Sequence, residues 1–352
     1  SRDALSDPMY FLDQWNKPLF TVFTTFFAQF GLIGMRVFSA LVGVLTGYVL
    51  YKSVEEQLGE LSWAVAVLLL LIPQYLTLLT SSMTEPLFAL FLSLFILCVA
   101  KKKLAAAALI AGLTPFVRQE GMAFIPIAAL VLGYLREWKK TPLLLIGTMV
   151  VALVGWSVSG DVLWILTSFP YGSGSSDIYG SGEWYHYLSY YRVLFGIPIS
   201  ILFIIGSGFL IERVLNRLKN RIVLTSFELA SVAAFAFGLL FFSAHSYVWW
   251  KGVSGSLGLI RVMACIAPSV ALIAAYGIQR LLELPFAQNP PLKLGALGVV
   301  LGLAISQVVA VTDLPTPLGE AQKVMRSVGQ WLKDEQVKGK VHYYDAVFYY
   351  FA

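Results

Sequence analysis

The chain has 352 residues, of which 58% are hydrophobic and 13% charged, and its formal net charge is +5. The hydrophobic residues form long uninterrupted runs, which is typical of a polytopic membrane protein and argues against an ordinary soluble domain. Lysines and arginines occur in short clusters between these runs, as juxtamembrane residues do, so a nucleic-acid-binding face is not expected.

The apolar runs predict an all-α polytopic membrane protein with a bundle of about ten transmembrane helices, because a bilayer core about 30 Å thick needs roughly 20 apolar residues per helix. The predicted spans are 31–51, 61–80, 85–100, 104–117, 122–135, 142–167, 193–211, 223–243, 261–279 and 293–312. The segments 104–117 and 122–135 are short for full crossings and flank Pro115 and Gly121. They are therefore either two spans or a tilted or partial hairpin.

The two ends of the chain lie outside this transmembrane domain of residues 31–312. Residues 1–30 are predicted to be an outer-face loop with an interfacial helix. Residues 313–352 are predicted to start a small soluble α/β domain on the outer face, with a helix at 318–333 and a strand at 341–351. The chain starts at Ser1 without a methionine and stops abruptly, so we expect it to be cut at both ends.

The basic clusters predict the orientation of the bundle. By the positive-inside rule the loops that contain them are cytoplasmic. These clusters are Lys101–Lys103, Arg136 with Lys139 and Lys140, and Arg213, Arg217, Lys219 and Arg221, joined by Lys52, Arg280 and Lys293. The residues that could take part in binding or catalysis then gather on the opposite, outer face. An ionisable side chain at the end of an apolar helix costs free energy unless it is ion-paired or hydrated, so these residues are functional candidates.

Three charged motifs interrupt or open apolar helices on that outer face. Glu85, in Thr84-Glu85-Pro86, is either an ordinary acidic helix start or a catalytic carboxylate. Arg118 either forms a self-satisfied pair with Glu120 or offers its planar fork of donors to a phosphate while Glu120 holds it. Arg261, at the start of another span, has the same choice between interfacial snorkelling and phosphate binding.

Other candidates lie in the first loop and after the span 223–243. Lys17 follows Asp13 and adds a third cation to the outer face, while Asp3, Asp7 and Asp13 supply carboxylates for general base chemistry. His245 and Lys251 stand in SAHSYVWWKG, which is either an aromatic belt with a snorkelling lysine or a supporting part of the site. The loop 168–191, rich in Gly, Ser and Tyr, is either a surface loop or a lid over a substrate.

No His, Cys or carboxylate set has metal-ligand spacing, so no cofactor is expected and a structural metal is not predicted. A divalent metal ion is not excluded. Cys98 and Cys265 each lie inside an apolar run and give no disulfide framework.

Four segments together resemble a known superfamily. DQWNKPLFTVFTTFFAQFGLIGMR (residues 13–36) is similar to the "D-x-x-K-P-P-L" region of GT-C glycosyltransferases, especially protein O-mannosyltransferases and lipid A aminoarabinose transferases, with Leu19 where a second proline is common. SSMTEPLFALFLSLF, LTPFVRQEGMAFIP and LGLIRVMACIAPSVALIAAYG resemble three further helix motifs of these and related mannosyltransferases. The similarity covers most of the chain, and the four motifs occur in the family's order.

This resemblance implies transfer of a sugar from a polyprenyl-phosphate donor to a hydroxyl of a lipid, glycan or protein acceptor, with inversion at the anomeric carbon. It implies that Lys17, Arg118 and Arg261 bind the donor phosphate and that an acid of the first outer loop is the base. The family's acids usually lie further upstream of the lysine than Asp3 or Asp7, which leaves open a base before Ser1. The implied location is the bacterial inner membrane, with the site on the periplasmic face, or the ER membrane of a eukaryote.

Two other classes of function remain open from the sequence. A transporter or flippase of lipid-linked sugars would also gather charges and aromatic residues on polytopic helices, although the paired inverted repeats typical of transporters are not visible. A non-catalytic membrane subunit is the third possibility, because the base is not identified.

Overall fold

The computed structural model describes residues 1–168, 180–285, 289–315, 317 and 319–336. Within these ranges the chain is helical and contains no strand, which confirms the predicted all-α class. The α-helices are α1 (Pro18–Ala28), α2 (Gly31–Leu58), α3 (Ser62–Leu70), α4 (Pro73–Leu79), α5 (Glu85–Ala100), α6 (Leu104–Leu113), α7 (Phe124–Tyr134), α8 (Ile146–Ser159), α9 (Trp164–Thr167), α10 (His186–Ser189), α11 (Tyr191–Leu194), α12 (Ile197–Lys219), α13 (Ser226–Lys251), α14 (Ala267–Leu282), α15 (Pro290–Val311) and α16 (Glu320–Asp334). The 3₁₀ helices are Arg2–Leu5, Pro8–Phe11, Gly59–Leu61, Thr114–Phe116, Gln119–Ala123, Trp138–Leu145 and Ile260–Ile266.

Local sequence signals set several of the helix boundaries. Proline lies in the first turn of α1, α4, α5, α12 and α14, where its missing N–H has no helical partner to lose. Helix α8 ends at Gly160 and α13 at Gly252, both in the left-handed conformation that glycine adopts without strain. Helix α13 begins with a capping box between Thr225 and Glu228.

Six stretches of the described chain are long and apolar enough to cross a membrane, which supports a multi-pass membrane protein. They are Gly31–Leu70, Trp138–Ser159, Ile197–Lys219, Ser226–Lys251, Ile260–Leu282 and Pro291–Val311. The first contains two helices, because Gly59 separates α2 from α3 with a φ of 53°. All ten predicted spans fall on helices, but the length of these helices does not establish ten crossings. The predicted span 61–80 is interrupted at Ile72, whose backbone is extended before Pro73 starts α4.

The core of the bundle is built around the span Ile260–Leu282, in which every residue from Val262 to Ile278 is buried. Beside it, aromatic rings connect three other helices. The Phe124 ring of α7 lies with its centroid 4.6 Å from Phe95 of α5 and 4.7 Å from Phe237 of α13. These helices are thereby fixed relative to one another. Helices α5 and α13, and the 3₁₀ turn that leads into α7, each contribute a residue near one end of the bundle to the site described below.

Most of the basic loops lie together at the opposite end, here called the basic end (Lys52, Lys101, Arg213 and Arg280). Lys101 Nζ lies 2.6 Å from Glu56 Oε1 and 3.6 Å from Glu55 Oε1, which joins α5 to α2. Gln279 donates to the carbonyl oxygen of Gln57 at 3.2 Å, and Tyr134 Oη accepts from the backbone N–H of Leu224 at 2.9 Å. The shared end agrees with the grouping of these loops from their charge, while the membrane face they occupy stays a prediction.

Helices α12 and α14 approach closely at Gly206. A Cβ atom at this position would overlap the carbonyl oxygen of Ile273, which is backbone and cannot rotate away. We therefore expect Gly206→Ala to lower the free energy of unfolding by about 1–3 kcal/mol, as overpacking does. Gly208→Ala, two residues along the same helix with no atom within 4 Å of its Cβ, should change it by less than about 0.5 kcal/mol. Unfolding in detergent measures both variants, and an equal effect of the two would contradict this contact.

Two further predictions concern residues beyond the transmembrane bundle. Helix α16 (Glu320–Asp334) lies where the sequence predicted a helix at 318–333. The predicted strand at 341–351 lies outside the described residues, as do residues 169–179 of the proposed lid loop. The soluble domain and the lid therefore stay predictions.

Candidate functional site

Arg118 is the centre of a buried ionic cluster at the end of the bundle opposite the basic end. Its backbone is extended, with φ −155°, between the 3₁₀ turns Thr114–Phe116 and Gln119–Ala123. These two turns can lie against each other because Gly121 has no Cβ, which would overlap the backbone of Thr114. The side chain of Arg118 is only 12% exposed. The short hairpin between α6 and α7 thus places a guanidinium group inside the protein.

The guanidinium group of Arg118 is held by three side chains. Its Nη2 and Nε atoms donate to the two carboxylate oxygens of Glu120, at 2.6 and 3.3 Å. Its Nη1 atom donates to Thr84 Oγ1 at 2.6 Å and lies 2.9 Å from Glu85 Oε1. A fork of this kind fixes the plane of the guanidinium group as well as its charge. Most of the donors of Arg118 are therefore already used within the protein.

Glu85 is the first residue of α5 and is completely buried, with 0% of its side chain exposed. Its Oε1 atom lies close to two guanidinium groups, at 2.9 Å from Arg118 and 3.7 Å from Arg261 Nε. Neither carboxylate oxygen of Glu85 accepts a well-directed hydrogen bond from a residue that the structure describes, so these contacts are ionic rather than directional. The N-terminus of α5 adds a favourable dipole. This carboxylate compensates cations, and its burial keeps it from solvent.

Arg261 is the least satisfied cation of the cluster. It lies in the 3₁₀ helix Ile260–Ile266, and 35% of its side chain is exposed. Its Nη1 atom donates to the sulfur of Met83, a weak acceptor, while its buried Nε atom has no hydrogen-bond partner within the described part of the chain. A buried donor without an acceptor costs free energy, and an anionic ligand would supply that acceptor.

His245 joins the cluster through Glu120. Its Nε2 atom lies 3.7 Å from Glu120 Oε1, and none of the described residues forms a hydrogen bond with this nitrogen. The imidazole ring packs against Phe241, with ring centroids 4.5 Å apart, and against Tyr187 at 6.3 Å. Glu85, Arg118, Glu120, His245 and Arg261 form what we call the site cluster.

Lys17 lies within electrostatic reach of the site cluster. Its side chain is buried, and its Nζ atom donates to the carbonyl oxygen of Gln14 at 3.2 Å. Burial lowers the pKa of Lys17 to about 8, an effect that Glu120 and Asp13 oppose and Arg118 reinforces. The backbone of Lys17 has a φ of 65°, which is strained for a residue with a side chain. The fold thus maintains a strained residue to hold this amine inside the protein.

The three aspartates of the first loop differ in their surroundings. Asp7 is exposed and accepts the N–H of Met9 at 3.0 Å as a helix cap. Asp3 lies in the turn Arg2–Leu5, whose neighbours attach to α1 by a hydrogen bond from Thr24 to Ser1. Asp13 is half-buried and accepts from Trp15 N at 2.8 Å and from Asn16 Nδ2 at 2.5 Å. Of the three, Asp13 is the one whose charge acts on Lys17.

Lys251 lies apart from the site cluster. It is the last residue of α13, and its Nζ atom lies 3.7 Å from the ring centroid of Trp250. This cation–π contact is the arrangement expected of a lysine in an aromatic belt. Among the ion pairs of the described residues, those of the site cluster do not include Lys251.

Two contact residues of the site were not predicted from the sequence. Thr84 accepts from Arg118, and Met83 accepts from Arg261. Both belong to the polar loop before Glu85, which Ser39 anchors by donating its hydroxyl to the carbonyl oxygen of Ser81 at 2.7 Å. Their position next to Glu85 in the sequence could have indicated that they contact the site. However, a threonine directly before a helix is more often interpreted as a helix cap.

The chemistry available here is anion binding beside carboxylates. Three cations, Lys17, Arg118 and Arg261, lie near the carboxylates Glu85, Glu120 and Asp13, and a phosphate can complete the hydrogen bonding of Arg261. Among the described residues, no group of three or more His, Cys, Asp or Glu side chains could hold a metal ion. Comparisons with protein-family models, curated proteins and solved structures find no match to this chain.

Proposed function

We propose that this chain is the membrane part of a GT-C-type glycosyltransferase that uses a polyprenyl-phosphate-linked sugar as donor and an acceptor hydroxyl of a lipid, glycan or protein. The observation that carries the proposal is the buried Nε donor of Arg261, which has no hydrogen-bond acceptor among the described residues and lies beside a fully buried Glu85 and a fixed Arg118. Cations held in this way at the ends of apolar helices suit a phosphate whose hydrocarbon tail stays in the bilayer.

The cations take different parts in this proposal. Arg118 is committed to Glu120 and Glu85, so it positions the carboxylates and contributes a fixed positive charge. Arg261 and Lys17 contact the donor phosphate. The Nε–H group of Arg261 has no hydrogen-bond acceptor among the described residues, and Lys17 lies within electrostatic reach of Glu120 and Arg118. As the sugar leaves, the phosphate gains a second negative charge. Fixed cations in a water-poor site stabilise that charge and so accelerate the reaction.

The reaction is a single displacement with inversion. The acceptor oxygen forms a bond to the anomeric carbon, the bond from this carbon to the phosphate oxygen breaks, and the hydroxyl proton passes to a carboxylate base. Asp3, Asp7, Asp13 and Glu85 were the candidate bases. Complete burial favours a positioning role for Glu85, while Asp13, half-buried beside Lys17, is the base we favour.

The proposal also includes a membrane topology that is more detailed than the lengths of the helices alone support. It has about ten crossings, the site cluster on the periplasmic or lumenal face, and the basic end in the cytoplasm of a bacterial inner membrane or ER membrane. Residues 313–352 begin the outer α/β domain. The positive-inside rule supports this orientation, since Lys101, Arg213 and Arg280 lie at the basic end.

Turnover of a lipid-linked donor tests the proposed function. The purified protein in detergent is given radiolabelled polyprenyl-phosphate sugars with a panel of acceptors, and released polyprenyl phosphate is measured. Asp13→Asn should reduce turnover by about 10²–10⁴-fold, the usual contribution of a general base, whereas Asp7→Asn should not. Transbilayer movement of the donor in liposomes without turnover would establish a transporter. Neither turnover nor movement would leave a non-catalytic subunit.

The pH dependence of donor use tests the role of Lys17. With its pKa at about 8, Lys17 is charged at lower pH and loses its charge as the pH rises through 8. We therefore expect kcat/KM for the donor to fall above about pH 8. In Lys17→Arg the fall should be absent up to about pH 10, because arginine stays protonated. Lys251→Arg serves as the control, and identical profiles for the wild type and Lys17→Arg would remove Lys17 from the phosphate site.

A further inference from the structure

A polar cavity lies at the basic end, between α12 and α14 and at the opposite end of the bundle from the site cluster. Its volume is about 290 Å³, close to the lower limit of ligand pockets. Its lining includes Phe209, Arg213, Asn216, Arg217, Asn220 and Arg280. Helix α12 supplies four of these six residues, Asn220 directly follows its last residue, and Arg280 comes from the last turn of α14.

The spacing along α12 explains why these side chains meet. Phe209, Arg213, Asn216 and Asn220 follow one another by four, three and four residues, which places them on one face of the helix. Gly206 belongs to the same face and brings α12 against α14 at Ile273. About two turns beyond that contact on each helix, the interface carries the large side chains of Arg213 and Arg280. The cavity therefore results from the change from glycine to arginine along the interface.

The arginines of the cavity are held in place but not fully covered. Arg213 Nε lies 2.8 Å and Arg217 Nη2 3.1 Å from Glu228 Oε1, and Glu228 is itself fixed by the capping box at the start of α13. Arg280 pairs with Glu283 and lies over the ring of Phe209, at 5.6 Å. The side chains of Arg213 and Arg280 remain 50% and 39% exposed. Each guanidinium group has five N–H donors, so donors remain for an anion.

The charge around the cavity also favours an anion. Its rim and the adjoining loop carry five cations against three carboxylates, namely Arg213, Arg217, Lys219, Arg221 and Arg280 against Glu212, Glu228 and Glu283. Towards its N-terminal half, α12 becomes apolar and exposes Ile201 and Ile204. An anionic lipid could therefore place its headgroup at the arginines and its hydrocarbon chains along the apolar part of α12.

We propose that this cavity binds the phosphate of an anionic phospholipid headgroup, with Arg213 and Arg280 as its principal ligands and the acyl chains along the apolar part of α12. Basic pockets between transmembrane helices are suited to such headgroups. The site is distinct from the glycosyl-transfer site and does not depend on that proposed function.

Lipid titration of the intact chain tests this site. The delipidated protein in neutral detergent is titrated with phosphatidylglycerol or with phosphatidylcholine of the same acyl chains, and bound lipid is counted by native mass spectrometry. We expect saturable binding of phosphatidylglycerol that Arg280→Gln weakens about fivefold, the usual effect of one cation at an anionic membrane surface. Arg280→Lys should retain most of the affinity. Arg136→Gln, an exposed arginine near the same end, is the matched control.

Three other outcomes would each contradict the proposed lipid site. Equal weakening by Arg280→Gln and Arg136→Gln would mean diffuse surface attraction rather than a cavity. Equal binding of the two lipids would remove the role of the anion. Competition by millimolar inorganic phosphate would show an anion site filled from solution and not by lipid. Donor turnover measured on Arg280→Gln should be unchanged in neutral detergent, so a failure here is separable from a failure of glycosyl transfer.

Discussion

Arg118→Ala is expected to lower the free energy of unfolding by about 3–5 kcal/mol, the cost of removing one partner from a buried ion pair. Arg118 compensates two carboxylates, Glu85 with no exposed side-chain surface and Glu120 with 14% exposed. Without it, Glu85 keeps only Arg261, at 3.7 Å. Unfolding of the purified protein in detergent measures the change, and loss of donor turnover should accompany it.

A charge-balanced variant separates the uncompensated charge from lost packing. Arg118→Met combined with Glu120→Gln removes one positive and one negative charge and leaves Glu85 beside Arg261, so it should recover part of the lost stability. It should not recover turnover. Arg136→Ala, at an exposed position, should stay within about 0.5 kcal/mol of the wild type. If Arg118→Ala behaved like Arg136→Ala, the site cluster would not be a buried network.

Arg261→Ala is expected to lower kcat/KM for the polyprenyl-phosphate donor by about 10²–10³-fold, the usual effect of removing one donor that stabilises transition-state charge. Its effect on stability should be small, since the side chain is 35% exposed and its contacts are an ionic one at 3.7 Å and one to a thioether. Kinetics with saturating acceptor and an unfolding curve of the same preparation test both statements.

Two substitutions make the Arg261 experiment specific. Arg261→Lys keeps the charge but loses the fork of donors, so it should recover only part of the activity. Lys251→Ala removes a cation that lies over Trp250 and outside the site cluster, and it should leave donor use near the wild-type level. Full activity of Arg261→Ala would exclude this arginine from the phosphate site.

The sequence was sufficient to locate the helices but not to decide how many cross the membrane. Uninterrupted apolar runs correspond to helices throughout the described chain, because composition and length dominate that choice. The break at Ile72 and Pro73 inside a predicted span was missed, since a proline in an apolar run can start a helix as well as kink one. Crossing depends on tilt and depth, which the pattern of residues does not encode.

The site was predictable as a set of charges but not as a network. Arg118 and Glu120, two residues apart, were expected to pair, and they do so through both carboxylate oxygens. The contact of Arg118 with Glu85 joins residues 33 positions apart and depends on how α5 packs against the hairpin. His245 reaches Glu120 from α13 for the same reason. Such contacts follow from packing, so sequence spacing could not give them.

The short hairpin that carries Arg118 has a consequence for the bilayer around it. Helix α6 has 10 residues and α7 has 11, so each rises only about 15 Å, half the thickness of a typical hydrocarbon core. A hydrophobic segment shorter than the membrane is accommodated by local thinning or by water entering above it. In the proposed membrane arrangement, the headgroups next to the hairpin are drawn inward, which brings a lipid phosphate towards the site cluster at a depth where an undisturbed bilayer would hold only hydrocarbon. Membrane thickness thereby becomes a determinant of access to this site.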